Sequence, residues 1–228
     1  SRKQAEILGG GYYNPIFPLL LPQDKSGQIE LMTSEIRSAV GKRPRGMPLF
    51  YSIWDNNLIP SLQSCGMEYV FLDNSLIPKE RQCYLPLIVS EQGKSLSVLG
   101  VSREFIPNPL VQPREYLRNL FDTVNYLTKD DDYNLLTNER VVTIKIDEAH
   151  FEKLYNSGWL EKMFVSAQEN YADSIKISLP SEYLHRAELK IPSYIPTGMQ
   201  ADVAKWAKRP YEEYAGNSTT STTILDFL

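Results

Sequence analysis

Aromatic and acidic side chains that could bind a sugar lie at the ends of two apolar segments near the middle of the chain. Tyr51, Trp54 and Asp55 close the first segment, and Asp73 closes the second. An aromatic ring can stack on the apolar face of a sugar while carboxylates bind its hydroxyl groups. A structural interpretation is also open, in which Trp54 belongs to the core and Asp55 caps a helix.

The elements that would position these side chains form a predicted β-α-β unit at residues 44–75. Apolar residues 47–53 predict a strand, residues 58–65 have near-helical apolar spacing that stops at Gly66, and residues 69–72 predict a second strand. Parallel strands joined by a helical crossover require a sheet with helices on its face, and ligands bind such sheets at the carboxyl ends of the strands. Both ends therefore meet at one edge.

The residues of this unit resemble a known family. Arg45-Gly46, Ile53-Trp54-Asp55 and Leu72-Asp73 are similar to the central region of glycoside hydrolase family 57, and most similar to its 4-α-glucanotransferase branch. The resemblance implies that the catalytic nucleophile, a glutamate three residues before the tryptophan, corresponds to Tyr51. A phenol at this position departs from the family pattern.

A second stretch with possible chemistry covers residues 141–164. An apolar strand is predicted at residues 141–146 and ends in Asp147, and Gly158-Trp159-Leu160 follows. The resemblance places Asp147 on the acid/base aspartate of the family. A general acid needs a pKa near neutral pH, and burial against Ile146 would raise the pKa of Asp147 in that direction. The alternative is that Asp147 caps the next helix.

Further substrate-binding residues are implied by the same resemblance. The segment 9–22 resembles a family block that lines the substrate cleft, with Asn14 standing where the family has a glutamate. Segment 189–206 resembles a later block. The complete predicted set of substrate-binding residues is Tyr13, Asn14, Trp54, Asp55, Asp73, Trp159, Tyr194 and Trp206.

The remaining elements are predicted from hydrophobic periodicity. Amphipathic helices are expected at residues 28–40 and 113–127, and strands at residues 83–89, 96–101 and 174–178. Alternating strands and helices favour an α/β class. The resemblance implies an incomplete seven-stranded β/α (TIM-like) barrel. Its cleft is expected at the carboxyl ends of the strands.

The domain organisation is expected to be one barrel at residues 1–215, followed by a Ser/Thr-rich linker into an unfinished segment at 216–228. The amino-terminal strands of the barrel are expected to be missing. In the family the first strand bears a His-x-His motif, whereas this chain has only His150 and His185, and neither lies in such a motif.

Charge, hydropathy and cysteine content argue against several classes of protein. The net charge of -4 and the lack of a basic stripe argue against nucleic-acid binding. No segment approaches the roughly 20 apolar residues that span a bilayer. Cys65 and Cys83 are too few for a disulfide framework or a zinc cluster, which favours a cytoplasmic location. We expect no cofactor and no metal site, and the oligomeric state stays open.

Three functions are compatible with the sequence. The first is a family-57-like protein that binds α-glucan or malto-oligosaccharide and is catalytically impaired at Tyr51, a pseudoenzyme. The second is an active 4-α-glucanotransferase or α-amylase-type enzyme that uses Asp147 as acid/base with a relocated nucleophile. The third is a non-catalytic scaffold whose cleft is filled by side chains.

Overall fold

The computed structural model describes residues 5–78, 84–130, 132–200 and 203. The chain divides into two compact units. The first comprises Ser1–Gly100 together with Leu179–Leu228, and the second comprises Val101–Ser178. Cys83, Trp206 and the predicted linker at 216–228 lie outside the described residues.

A five-stranded mixed sheet forms the centre of the first unit. Its strands are β1 (Gly46–Pro48), β2 (Tyr69–Asp73), β3 (Leu87–Glu91), β4 (Lys94–Val101) and β5 (Ile191–Pro192). They lie in the order β1-β2-β4-β3-β5. β1 and β2 are parallel, β3 and β4 are antiparallel, and β3 and β5 are parallel. Every residue of β2 is buried, so the core surrounds this strand.

Three helices with bounds in the described residues pack in this unit with the sheet. They are α1 (Pro22–Val40), α2 (Leu58–Ser64) and α6 (Pro180–Arg186). α1 starts earlier than predicted because Pro22, whose missing N–H is no loss in the first turn, begins a helix across polar residues that apolar spacing does not detect. It ends at Val40 as predicted, and Gly41 follows as the C-cap with a φ of 74°, which is readily available to glycine.

The predicted order of strand, helix and strand is confirmed, but the first strand is shorter than the predicted residues 47–53, because β1 ends at Pro48 and a 3-10 turn follows at Phe50–Ser52. α2 connects β1 to β2 and buries Leu58, Ile59 and Leu62. β1 pairs with β2 in parallel with Gly46 opposite Tyr69. Cys65, directly after α2, is buried with a free thiol, and burial raises its pKa.

The second unit is helical. It contains α3 (Pro113–Thr128), α4 (Glu148–Asn156) and α5 (Trp159–Asn170). Leu117, Val124, Leu154, Trp159 and Ala167 are its main buried side chains on these helices. Among the helices that the structure describes, none combines the length and the apolar character that crossing a membrane requires.

Two predicted strands of this unit are wrong. In the described structure, residues 141–146 form a single parallel bridge, between Thr143 and Val101, both of which belong to this unit. The amide of Ser102 donates to the carbonyl of Thr143 at 2.8 Å and completes this contact. Residues 174–178 form a turn and an irregular segment rather than a strand.

Candidate functional site

The loop after β1 has an uncommon backbone. Residues Phe50–Ser52 form a short 3-10 turn in which Tyr51 has φ 48° and ψ 26°. Ser52 follows with φ 50°, so two consecutive non-glycine residues lie in the left-handed region. Each such residue costs on the order of 1–3 kcal/mol and persists only where its surroundings hold it.

Hydrogen bonds within the loop and from two other segments of the chain hold this loop. The amides of Ser52 and Ile53 donate back to Leu49 and Phe50, each at 3.0 Å, and the amide of Gln200 donates to the carbonyl of Tyr51 at 3.2 Å.

The hydroxyl oxygen of Ser52, which is buried, accepts the amide of Asp73 at 3.0 Å. The carboxyl ends of β1 and β2 are therefore tied together through Ser52, a role that sequence reasoning missed. A serine next to the predicted site has no distinctive sequence signal, because its partner is a backbone amide on another strand.

The side chain of Tyr51 lies at the carboxyl end of β1 and is 48% exposed. Its ring contacts Phe50 edge-on, with centroids 4.2 Å apart and an interplanar angle of 62°. This is the position that the sequence resemblance assigns to the nucleophile, and that assignment stays a prediction.

Trp54 is fully buried, which corrects its predicted role as a sugar-stacking residue. Its indole N–H donates to the carbonyl of Ile195 at 3.2 Å. Its backbone pairs with Gly198 in both directions, at 2.7 and 3.0 Å. A ring with no exposed face cannot stack on a ligand, so Trp54 belongs to the core, as the structural interpretation predicted, and anchors segment 195–198. The other part of that interpretation is wrong, because Asn57 and not Asp55 is the N-cap of α2.

The two carboxylates near this loop also accept hydrogen bonds from the chain. Asp55 Oδ1 accepts the amide of Asn57 at 2.8 Å, and its Oδ2 accepts the hydroxyl of Thr197 at 3.0 Å. Asp73 is buried, and its Oδ1 accepts the amide of Ser75 at 3.0 Å. Both residues shape the loops at this edge of the sheet. Thr197 was not predicted, since its contact to Asp55 spans 142 residues.

Three other predicted substrate-binding residues of the first unit are exposed. Tyr13 is 77% exposed, and its amide donates to the side chain of Gln28 at 2.9 Å. Asn14 is exposed with φ 51°. Tyr194 is 71% exposed and directly precedes Ile195, the acceptor for Trp54. Each of these three side chains is accessible to a ligand.

The remaining predicted site residues belong to the second unit. Asp147 is exposed and caps α4, with its Oδ1 accepting the amide of His150 at 2.8 Å. The expected burial of Asp147 against Ile146 is therefore not found, and its carboxylate caps the helix as the alternative interpretation predicted. Trp159 is buried, and its indole N–H donates to the carbonyl of Val111 at 2.7 Å, so its predicted role as a substrate-binding residue is corrected to a core role.

Comparison with known proteins identifies the family. The sequence pattern of glycosyl hydrolase family 57 matches residues 1–196. The chain belongs to glycosyl hydrolase family 57. It is 27% identical over 223 residues to alpha-amylase 1 of Dictyoglomus thermophilum, covering 92% of this chain and 31% of that protein. It is 26% identical over 217 residues to 4-alpha-glucanotransferase of Thermococcus kodakarensis, covering 91% and 32%.

Solved structures agree on the fold of this family-57 chain. The 4-alpha-glucanotransferase of Thermococcus litoralis superimposes with a TM-score of 0.66 at 23% identity, covering 90% of this chain and 32% of that one. The family-57-type branching enzyme of Pyrococcus horikoshii superimposes with a TM-score of 0.67 at 15% identity, covering 87% and 48%. The predicted α/β class, with an incomplete β/α barrel of the family-57 type, is confirmed. The chain spans about a third of the length of the curated relatives it matches.

Proposed function

We propose that this family-57 chain binds α-glucan or malto-oligosaccharide and turns it over poorly, because Tyr51 stands where the nucleophile is expected. The names of its relatives, α-amylase and 4-α-glucanotransferase, support the substrate class. The low cysteine content supports the cytoplasmic location that belongs to the same proposal.

The chemistry of the reaction explains the proposed impairment. A retaining glycosidase uses two carboxyl groups about 5–5.5 Å apart, one as nucleophile and one as acid/base. A phenol is a far weaker acid than a carboxyl group, so it attacks only when a neighbouring base takes its proton. Tyr51 would therefore be a poor replacement for glutamate.

Relocation of the nucleophile to another carboxylate is a demanding alternative, because that carboxylate would need to be free and correctly placed. Asp55 accepts hydrogen bonds on both oxygens, and Asp73 is buried and bonded to Ser75. A displacement of ~1 Å from the productive geometry can reduce the rate ~100-fold. The observation that carries the proposal is the exposed tyrosine side chain at the carboxyl end of β1.

The test is product analysis of the full chain incubated with maltoheptaose, with binding measured in parallel by calorimetry. We expect the wild type to bind without releasing products and Tyr51→Glu to release shorter or longer oligosaccharides. Tyr51→Gln is the matched control, because it has the size of glutamate without the charge. Adding Asp147→Asn to Tyr51→Glu should abolish the products.

Two results would contradict the proposal. Products from the wild type that disappear in Asp147→Asn would identify an active enzyme with a relocated nucleophile. Neither binding nor products in any variant would favour the scaffold function.

A further inference from the structure

We infer that Tyr51 is a sugar-stacking residue that sets the affinity of the chain for α-glucan, and that the left-handed backbone at residues 51–52 holds its ring in the binding orientation. This inference rests on the proposed glucan-binding function. It gives Tyr51 a positive role in binding, where the proposed function treats it only as a lost nucleophile.

The first step is the backbone conformation. A bulky aromatic residue with positive φ is rare, and here Ser52 repeats the same conformation directly after Tyr51. The hydrogen bonds from Gln200 to Tyr51 and from Asp73 to Ser52 oppose relaxation of this loop. Backbone held in such conformations is concentrated at ligand-binding and catalytic sites.

The second step is the orientation that this backbone gives to the side chains. Leu49 before the turn, and Ile53 and Trp54 after it, are all buried, whereas Tyr51 is 48% exposed. The strained backbone thus lies where the chain exposes one large ring, next to the half-buried Phe50 and flanked by buried residues. Contact with Phe50 at 4.2 Å restricts rotation of this ring. A ring that is already ordered loses less side-chain entropy when a ligand binds.

The third step is the chemistry of the ligand. A tyrosine ring offers an apolar face to a pyranose, and its hydroxyl can donate to or accept from a sugar hydroxyl. A tyrosine side chain has only two rotatable angles, which keeps the entropic cost of contact low. An uncharged ring suits an uncharged oligosaccharide, and it needs none of the hydrogen bonds that Asp55 and Asp73 already make within the chain.

The experiment compares ring and backbone effects by calorimetric titration of the full chain with maltoheptaose and by thermal unfolding. Tyr51→Asn removes the ring but keeps a residue that tolerates positive φ. We expect its affinity to fall about tenfold, the equivalent of ~1.4 kcal/mol, with an unchanged or higher Tm. Tyr51→Phe keeps the ring and should stay within about threefold of the wild type.

The control is Tyr126→Ala, which removes an exposed ring from α3 in the second unit and should leave the affinity unchanged. Wild-type affinity in Tyr51→Asn, with only Tm altered, would show a purely structural residue and overturn the inference while glucan binding stands. A tenfold loss in Tyr51→Phe would overturn stacking in favour of the hydroxyl group. Absence of binding by the wild type would overturn the proposed function and the inference together.

Discussion

Gly46 is the residue that lets β1 lie against β2. A Cβ atom at this position would overlap the ring of Tyr69, which is fully buried and donates its hydroxyl to Glu6 Oε1 at 2.7 Å. Because the ring cannot move away without losing that bond, Gly46→Ala should lower the free energy of unfolding by about 1–3 kcal/mol. Urea denaturation measures this change.

The matched control is Gly27→Ala in α1. Nothing lies within 4 Å of a Cβ atom there, and the residue is in a helix, so we expect a gain of up to ~1 kcal/mol. Equal urea midpoints for the two variants would contradict the close packing of Gly46.

Tyr69 should also make the stability depend on alkaline pH. Burial raises its pKa well above the ordinary value, and the hydrogen bond to Glu6 and the nearby charge of Glu68 raise it further, while Arg45 opposes them. Above pH ~10 the unfolded chain releases this proton and the folded chain keeps it, so stability falls as pH rises. The full effect of one proton is ~1.36 kcal/mol per pH unit.

Urea midpoints between pH 9 and pH 11 test this expectation. The wild type should lose stability over that range more steeply than Tyr69→Phe, which has no proton to release. Parallel curves for the two proteins would show that Tyr69 ionises in the folded chain as readily as in the unfolded one.

At the scale of elements, Asp147 contributes to the stability of α4 whatever its chemical role. Its carboxylate accepts the amide of His150, one of the first-turn donors that the helix leaves unpaired. Asp147→Ala should therefore lower the free energy of unfolding by about 1 kcal/mol, and Asp147→Asn should be nearly neutral, since asparagine caps equally well. Thermal unfolding distinguishes the two variants.

Comparing the stabilities of Asp147→Ala and Asp147→Asn also serves as a control for the product analysis. Loss of products in Asp147→Asn at unchanged stability would indicate lost proton transfer rather than a damaged helix. Equal Tm values for Asp147→Ala and the wild type would contradict the capping role.

Local sequence signals predicted which elements form in the first unit, but they did not predict which segments pair as strands. Apolar periodicity and Gly66 fixed the order β1-α2-β2, and Gly41 marked the end of α1. The same periodicity wrongly predicted a strand at residues 141–146. An apolar segment becomes a strand only where neighbouring strands share its hydrogen bonds. In the described part of the chain, residues 141–146 have a single bridge, Thr143 beside Val101, where the amide of Ser102 donates to the carbonyl of Thr143.

At the candidate site, too, the sequence predicted positions along the chain but not long-range contacts. The sequence predicted Tyr51, Asp55 and Asp73 at one edge of the sheet, because strand ends follow from the order of elements. It could not decide whether the ring of Trp54 is exposed, since that depends on Ile195, 141 residues away. Long-range contacts of this kind have no local signal.

At the scale of the whole molecule, the chain consists of two units that each have their own buried side chains. The first surrounds β2, and the second packs α3 against α5 around residues such as Trp159 and Leu154. Regions with separate cores can open separately, because opening one does not expose the apolar surface of the other. We therefore expect the units to differ in local stability.

Leu154→Ala tests this expectation. Leu154 is fully buried in α4, so the truncation should destabilise its surroundings by about 2–5 kcal/mol. If the units open separately, hydrogen exchange should become faster in peptides covering residues 148–170 and stay unchanged in those covering β3 and β4. Tyr126→Ala, which removes an exposed side chain from the same unit, is the control and should change neither set. Equal acceleration in both sets would mean that the two units unfold as one cooperative structure, and substitutions in the second unit would then act on the Tyr51 loop through global stability.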